Sequence, residues 1–208
     1  MPKAALSNTN ASIRQPQQAR SKEAWRRILD AGRQLLEDGG SEALTIIGVC
    51  EAADVAPTAI YARVDGLSDL FWAIYEDGMH DVIDTYTDQL TKASQTPPHS
   101  KERVEAVVAA VAVTFENHHR FLQPVINYSI SNPNLRDRGS EASIKLVSLV
   151  ADLLDDGDRK AAYDVARMLQ QEAILRAMYG DRWLSIESES FDDFEERLAQ
   201  MAISRLGF

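Results

Sequence analysis

Apolar residues recur at helical spacing along most of this 208-residue chain, and this periodicity constrains the fold more than any other feature. Between residues 68 and 90, for example, Leu70, Ile74 and Met79 lie on one side of a helix. No segment alternates apolar and polar residues for long enough to predict a strand. The sequence therefore predicts an all-α protein of about nine helices.

Glycines, prolines and short polar runs separate the periodic segments and mark the ends of the predicted helices. The first helix is predicted to end at Gly39-Gly40, and the last to begin after Ser190, whose hydroxyl can cap it. Between them, helices are predicted over residues of about 46–53, 57–63, 68–90, 101–118, 121–130, 140–154 and 161–179.

The sequence pattern over residues 45–71 predicts two short helices that are joined by a tight turn and followed by the start of a third helix. Thr45 can cap the first helix through its hydroxyl, and Asp54 tolerates the left-handed backbone that a sharp turn requires. Pro57 falls where the second helix begins, a position that proline favours because its missing N–H would be unpaired there. Two helices in this arrangement can place the second one in a groove of DNA.

This region resembles the helix-turn-helix domain of the tetracycline-repressor (TetR) family of transcriptional regulators. The resemblance covers residues 22–75. It implies a helix-turn-helix DNA-binding domain over residues 21–66 and a helical effector-binding and dimerisation domain over residues 67–208. It also implies a homodimer that binds a palindromic double-stranded DNA operator and is released by an unidentified small molecule. The residues that carry the resemblance are Trp25, Ile28, Leu29, Gly32, Leu35, Leu36, Gly39-Gly40, Leu44-Thr45, Val49-Cys50, Ala53-Asp54-Val55, Ile60-Tyr61 and Leu70.

The resemblance also implies particular DNA contacts. Thr58 and Ala59 are predicted to face bases, Ala59 through apolar contact with a thymine methyl group. Tyr61, Arg63 and Thr45 are predicted to contact phosphates. The predicted DNA-binding residues are Thr45, Pro57, Thr58, Ala59, Tyr61 and Arg63.

The chain departs from the family pattern around the recognition helix. Relatives have a serine cap, a glycine and a serine or threonine where this chain has Ala56, Thr58 and Ala59. They have a His-Phe pair at Arg63 and Val64, and a phosphate-anchoring lysine at Leu67, for which Arg63 is a possible replacement. These departures leave open an alternative: a TetR-like protein that has lost specific DNA reading and acts as a small-molecule or protein binding module.

The net charge of −10 is unevenly distributed along the chain. Residues 1–36 hold seven basic and two acidic side chains, whereas residues 67–208 hold 14 basic and 24 acidic ones. A locally basic surface on an acidic body is typical of a nucleic-acid-binding protein, although a charge run can also be a simple solvated face. Residues 1–20 contain almost no large apolar groups, so they are predicted to form a flexible arm.

Aromatic, sulfur-containing and polar side chains lie on the helices that, by resemblance, surround an effector cavity. Apolar pockets with a few polar groups are typical small-molecule sites, but such residues can equally be plain core. His118 and Trp183 belong to the same group of candidates. The predicted ligand-binding residues are Trp72, Tyr75, Met79, Tyr86, Phe115, His119, Tyr128, Met168 and Gln171.

The last two helices are predicted to form a dimer interface. Apolar residues between residues 161 and 179 occur on more than one helical face, which a single monomer core does not explain. Two such helices from each of two subunits would form the four-helix interface that the resemblance implies; a monomeric core helix with a wide apolar arc is the alternative. The predicted interface residues are Met168, Leu175, Met178, Phe194, Leu198 and Met201.

Little in the sequence favours catalysis, a metal or a cofactor. His80, His99, His118 and His119 have no metal-ligand spacing, and no phosphate-binding glycine loop or nucleophile motif is present. The single Cys50 excludes an internal disulfide. The absence of an export signal or membrane span predicts a cytoplasmic protein without a membrane partner. We therefore predict a DNA-binding regulator, a repressor by preference, with an all-α enzyme as a remaining alternative.

Overall fold

The computed structural model describes residues 19–182 and 187–208, which form eight α-helices and no strand. The predicted all-α class is confirmed. The predicted arm over residues 1–20 lies almost entirely outside the described residues, and Trp183 lies outside them as well. The helices are α1 (Ala19–Ala43), α2 (Ile46–Ala53), α3 (Pro57–Tyr61), α4 (Leu67–Ala93), α5 (Lys101–Ser129), α6 (Pro133–Leu154), α7 (Arg159–Tyr179) and α8 (Phe191–Leu206).

The chain divides into two compact units, Met1–Met79 and His80–Phe208. Helix α4 belongs to both, because its first part lies in one unit and its second part in the other. The domain boundary predicted between residues 66 and 67 falls at the start of α4 and stays a prediction.

In the first unit, α1 packs against both α2 and α3. Gly32 lets α1 approach α4 closely, because a Cβ at this position would lie 2.2 Å from Cδ1 of Ile74. Gly40 has φ of 71°, which interrupts the regular backbone of α1 where the sequence predicted a glycine stop. The fully buried core of this unit includes Ile28, Leu36, Val49, Ile60, Val64, Leu70 and Ile74.

In the second unit, α5 packs against α6, α7 and α8, and α7 packs against α6 and α8. Gly180 ends α7 with φ of 78°, and the Ser190 hydroxyl caps α8 by accepting a hydrogen bond from the N–H of Asp193 at 3.1 Å. Both helix ends agree with the sequence prediction. The largest fully buried side chains here are Tyr86, Phe121, Leu135, Leu169 and Leu198.

The helices predicted over residues 101–118 and 121–130 are one helix, α5, and this accounts for eight helices among the described residues instead of about nine. The polar run at His118 and His119 suggested a break. Buried side chains nevertheless continue at helical spacing through Phe121, Leu122 and Val125. Pro124 lies inside the helix, where it removes one hydrogen bond but does not end a helix that packing holds on both sides.

Helix α6 begins at Pro133, seven residues before the predicted start at residue 140. Asn132 caps it by accepting a hydrogen bond from the N–H of Leu135 at 3.2 Å, and Pro133 occupies the first turn. The mostly polar first turns hid this helix from the periodicity, because only Leu135 among them is buried.

None of the helices in the described ranges is long and apolar enough to cross a membrane. Within the same residues, no three His, Cys, Asp or Glu side chains form a group that could hold a metal ion.

Candidate functional site

The helix-turn-helix is built by local signals that the sequence carries. Thr45 accepts a hydrogen bond from the N–H of Gly48 at 2.9 Å, which caps α2. Asp54 adopts the left-handed conformation, with φ of 51° and ψ of 57°, and its N–H reaches the carbonyls of the last turn. Pro57 stands in the first turn of α3. These three positions confirm the predicted helix, turn and helix.

The short helix α3 is anchored on one side and exposed on the other. Ile60 is fully buried and fixes its inner face in the core of the first unit, and Val64, three residues after the helix ends, is fully buried as well. Thr58 is exposed, and Tyr61 is 51% exposed beside it on the outer surface. Of the other predicted DNA contacts, Thr45 and Pro57 are exposed and Ala59 is half-buried.

Arg63 differs from the other predicted DNA contacts, because its side chain is only 7% exposed. Its guanidinium donates a hydrogen bond to the carbonyl oxygen of Ser21 at 3.4 Å and another to the hydroxyl of the same serine. The guanidinium carbon also lies 5.8 Å from the centre of a Trp25 ring, a cation–π distance. A phosphate contact would require this side chain to leave the interior of the unit.

Two basic side chains of α1 have carboxylate partners. Arg26 lies 3.0 Å from Asp30 and 3.7 Å from Asp77, and Arg33 lies 3.0 Å from Glu37. Lys22 and Arg27 are exposed and make no ion pair among the described residues. The sequence prediction counted these two only as part of a charge run. Among the α1 side chains that the structure describes, from residue 21 onward, Lys22 and Arg27 are therefore the cations available to a phosphate.

The start of α4 adds negative charge and apolar surface. Asp69 accepts a hydrogen bond from the N–H of Asp65 at 3.1 Å, which holds a carboxylate in the first turn of the helix. Leu67, at the position where relatives have a lysine, is exposed. Neither residue beside Leu67 is basic, so its sequence neighbours do not supply the missing cation.

The second unit contains buried polar groups that join α4, α5 and α7. The hydroxyl of Tyr86 donates to Oε1 of Gln170 at 3.5 Å, and both side chains are buried. Nε2 of His118 lies 2.9 Å from Oγ1 of Thr85. Burial raises the pKa of Tyr86, so its hydroxyl stays protonated and remains a donor. The sequence prediction named Gln171, which is exposed, and missed its buried neighbour Gln170.

The predicted ligand-binding residues fall into three groups. Tyr86 and Phe115 are buried in the second unit, where Tyr128 and Met168 are half-buried. His119 is exposed, as is Gln171. Three candidates lie in the first unit: Trp72, Tyr75 and Met79.

The three candidates of the first unit lie within about two turns of α4. Tyr75 stacks on Phe71, with ring centres 6.4 Å apart. Trp72 meets Tyr75 edge-on at 5.4 Å. These rings form an aromatic cluster on one helix, which is consistent with a packing role as well as with a pocket wall.

The predicted dimer residues also divide by burial. Phe194 and Leu198 are 2% and 0% exposed in the isolated chain, so these two side chains belong to the protomer core and have no surface to offer a partner. Met168, Leu175 and Met178 on α7 are half-buried, and Met201 on α8 is 42% exposed. Of the predicted interface residues, these methionines and Leu175 are therefore the ones that contribute apolar surface, and Tyr179 at the end of α7 is 55% exposed beside them.

A charged network surrounds Phe194. The guanidinium carbons of Arg176 and Arg197 lie 4.7 and 5.4 Å from the centre of its ring. Glu189 accepts two hydrogen bonds from Arg197, at 2.7 and 3.1 Å, and its carboxylate is 3.8 Å from Arg176. The hydrogen bonds from Arg197 lower the pKa of Glu189. This network ties the segment before α8 to α7 and α8.

Comparison of structures finds proteins of the same architecture. One is described as a TetR-family transcriptional regulator from Mesorhizobium loti; it has 16% identity and a TM-score of 0.72, over 91% of this chain and 98% of that chain. A TetR-like transcriptional regulator from Rhodococcus sp. RHA1 has 16% identity and a TM-score of 0.67, over 94% and 100% of the two chains.

A third similar structure is a transcriptional regulator from Streptomyces coelicolor A3(2), with 18% identity and a TM-score of 0.64 over 86% and 98% of the two chains. The sequence matches no protein-family model and no curated protein. At these identities the similarity shows a shared fold, the all-α fold of TetR-like regulators.

Proposed function

Because the described helices have the fold of solved TetR-family regulators, we propose that the protein is a cytoplasmic, ligand-responsive transcriptional regulator that binds DNA. The observation that carries this proposal is the capped helix-turn-helix, in which α3 is anchored by Ile60 and presents Thr58 and Tyr61 outward. A rigid helix with exposed polar residues suits contact with base edges and phosphates.

In the proposed mode of binding, a homodimer inserts its two α3 helices into successive major grooves of a palindromic operator, about 34–36 Å apart. Thr58 and Ala59 face bases. Thr45 and Tyr61 contact phosphates, since the Thr45 hydroxyl accepts a bond from Gly48 and still has its own hydrogen to donate. Pro57 fixes the start of the helix at the DNA surface.

We further propose that a small molecule bound by the second unit releases the protein from DNA, which makes it a repressor. The buried donor and acceptor at Tyr86 and Gln170 support this, because a few polar groups among apolar side chains give a ligand its orientation. Phe115, Tyr128 and Met168 supply apolar surface in the same unit. The ligand can release the protein from DNA only to the extent that it binds the released conformation more tightly than the DNA-bound conformation.

The experiment that tests the main proposal is selection from a random pool of duplex DNA with the purified full-length protein. We expect one palindromic sequence to be enriched. Thr58→Ala should change the enriched bases, because the lost hydroxyl and methyl group belong to a predicted base contact, whereas Thr87→Ala on the exposed face of α4 should leave them unchanged. A protein that enriches no sequence is not a sequence-specific regulator.

A second candidate function follows from two observations on the same unit: Arg63 is buried and Leu67 exposes an apolar side chain where relatives have a cation. These features favour a TetR-like protein that no longer reads DNA and binds a small molecule or a protein instead. The two functions differ in the selection experiment. The second function predicts that no DNA sequence is enriched, although the protein is folded and binds a metabolite. Binding of the metabolite would be detected as a rise in melting temperature.

A further inference from the structure

Arg63 is the one charged side chain buried within the described part of the first unit. It follows the last turn of α3, where its own N–H donates to the carbonyl of Ile60 at 2.8 Å. Its guanidinium contacts Ser21 and Trp25 in the first turns of α1. These two residues precede Arg63 by about forty positions in the chain. The side chain therefore joins the end of the recognition helix to the beginning of α1.

We infer that Arg63 is a positioning residue for DNA binding, and that the phosphate contacts beside it are made by Lys22 and Arg27 on α1. This inference rests on the proposed function. Lys22 directly follows the serine that Arg63 holds, so the contact fixes the backbone of α1 next to an exposed cation. Arg27 lies less than two turns further along the same helix.

The contacts of Arg63 depend on the shape of a guanidinium. One nitrogen, Nη2, donates to both oxygens of Ser21, while the flat group lies against the Trp25 ring. A lysine keeps the charge and can donate from its single nitrogen, but it has no flat group to lay against the Trp25 ring. A phosphate, in contrast, accepts a lysine nearly as well as an arginine when only a point charge is needed. Arg63→Lys should therefore weaken DNA binding if Arg63 positions α1, and should leave it nearly unchanged if Arg63 contacts a phosphate.

The test measures the affinity of the full-length protein for its selected operator over a range of salt concentrations. For Arg63→Lys we expect affinity to fall about tenfold at one salt concentration, with the salt slope unchanged, because no phosphate contact is lost. Ser21→Ala should weaken binding in the same way. The variant that carries both Ser21→Ala and Arg63→Lys should bind little worse than Arg63→Lys alone, because both substitutions break the same contact. Lys22→Gln and Arg27→Gln should each reduce the salt slope by about one.

Arg103→Lys is the matched control. Arg103 is also a buried arginine, 9% exposed, which donates from Nε to Thr96 at 2.9 Å and from Nη2 to the carbonyl of Ser94 at 2.9 Å, but it lies in the second unit. We expect it to lower thermal stability without changing operator affinity. If Arg63→Lys lowers the stability so far that it does not fold, the milder Ser21→Ala variant carries the test.

Two results would overturn the inference. Arg63→Lys could bind like the wild type while Arg63→Ala loses about one unit of salt slope, which would identify a direct phosphate contact. Alternatively, Lys22→Gln and Arg27→Gln could both leave the slope unchanged. If the wild-type protein selects no operator at all, the proposed function fails first, and the two failures are thereby distinguished.

Discussion

At the scale of single residues, Glu189 shows how one carboxylate can hold three elements together. It bonds both nitrogens of the Arg197 fork on α8 and lies close to Arg176 on α7. Arg176 in turn lies 3.4 Å from Glu116 on α5. The two arginines enclose Phe194, so the charged network and the apolar core stabilise the same ring.

We expect this network to make the second unit sensitive to acid. The pKa of Glu189 is lowered in the folded protein by hydrogen bonds from Arg197, so the folded state binds a proton less readily than the unfolded state. The stabilisation is complete above the unfolded carboxyl pKa of about 4.3 and is lost as pH falls through the lower, folded pKa. The melting temperature of Glu189→Gln should therefore fall less steeply than that of the wild type between neutral pH and pH of about 3.

The measurement is thermal unfolding followed by circular dichroism at a series of pH values. Glu196→Gln serves as control, because Glu196 is an exposed carboxylate on α8, close in sequence to Glu189, and its partner is the neutral Gln200. Equal acid sensitivity in the wild type and in Glu189→Gln would show that the network contributes nothing to the pH dependence.

Residues whose conformation depends on near neighbours could be predicted from the sequence. Thr45, Asp54, Pro57 and Ser190 act within four residues of themselves, so their types alone indicate caps and turns. The contact of Arg63 with α1 could not be predicted in this way, because it joins distant parts of the chain. The same holds for Gln170: periodicity does not decide which of two adjacent glutamines faces Tyr86.

At the scale of elements, two glycines in helices should respond in opposite ways to alanine. A Cβ at Gly32 would lie 2.2 Å from Cδ1 and 3.0 Å from Cγ1 of the fully buried Ile74, so α1 and α4 would have to separate or repack. A Cβ at Gly139 in α6 would meet nothing within 4 Å. We expect Gly32→Ala to lower the free energy of unfolding by about 1–3 kcal/mol and Gly139→Ala to raise it by about 0.5–1 kcal/mol.

Urea denaturation of both variants beside the wild type measures these changes. The comparison is matched, since both substitutions add one methyl group to a helix and gain the same helix propensity. A stabilising Gly32→Ala would mean that Ile74 moves aside at little cost, and the close approach of α1 to α4 would not depend on glycine.

Elements were predicted best where an apolar stripe and a cap coincide, as in α2, α7 and α8. The sequence predicts two helices in place of α5, because a polar surface between Glu116 and Arg120 interrupts the apolar run. The buried side of the helix nevertheless continues through this region. The sequence predicts a start of α6 that is too late, because the first turns of that helix are mostly exposed and polar. In both helices, packing on one face outweighed the local pattern.

At the scale of the whole molecule, the proposed homodimer depends on the exposed side of α7 and α8. Phe194 and Leu198 belong to the protomer core, so we assign the interface to Met168, Leu175, Met178 and Met201. Leu175→Glu places a charge on this surface and should weaken association by about 30-fold or more, as the loss of a central interface residue does.

Sedimentation velocity over a range of protein concentrations checks this expectation. Ile144→Glu is the matched control, because Ile144 is an apolar residue on α6 that is 55% exposed and lies outside the assigned interface. If Ile144→Glu dissociates the protein and Leu175→Glu does not, the interface lies on α6. A wild-type protein that sediments as a monomer at all concentrations would exclude the proposed dimer.

The pairing of Arg26 and Arg33 with carboxylates has a consequence for how the protein would find its operator. Affinity for arbitrary duplex DNA depends on the number of phosphates that cations neutralise. Among the described side chains of α1, which begin at residue 21, only Lys22 and Arg27 are cations without an ion pair. We therefore expect short residence times on non-operator DNA. The search would proceed by repeated dissociation and rebinding through solution more than by sliding along the duplex.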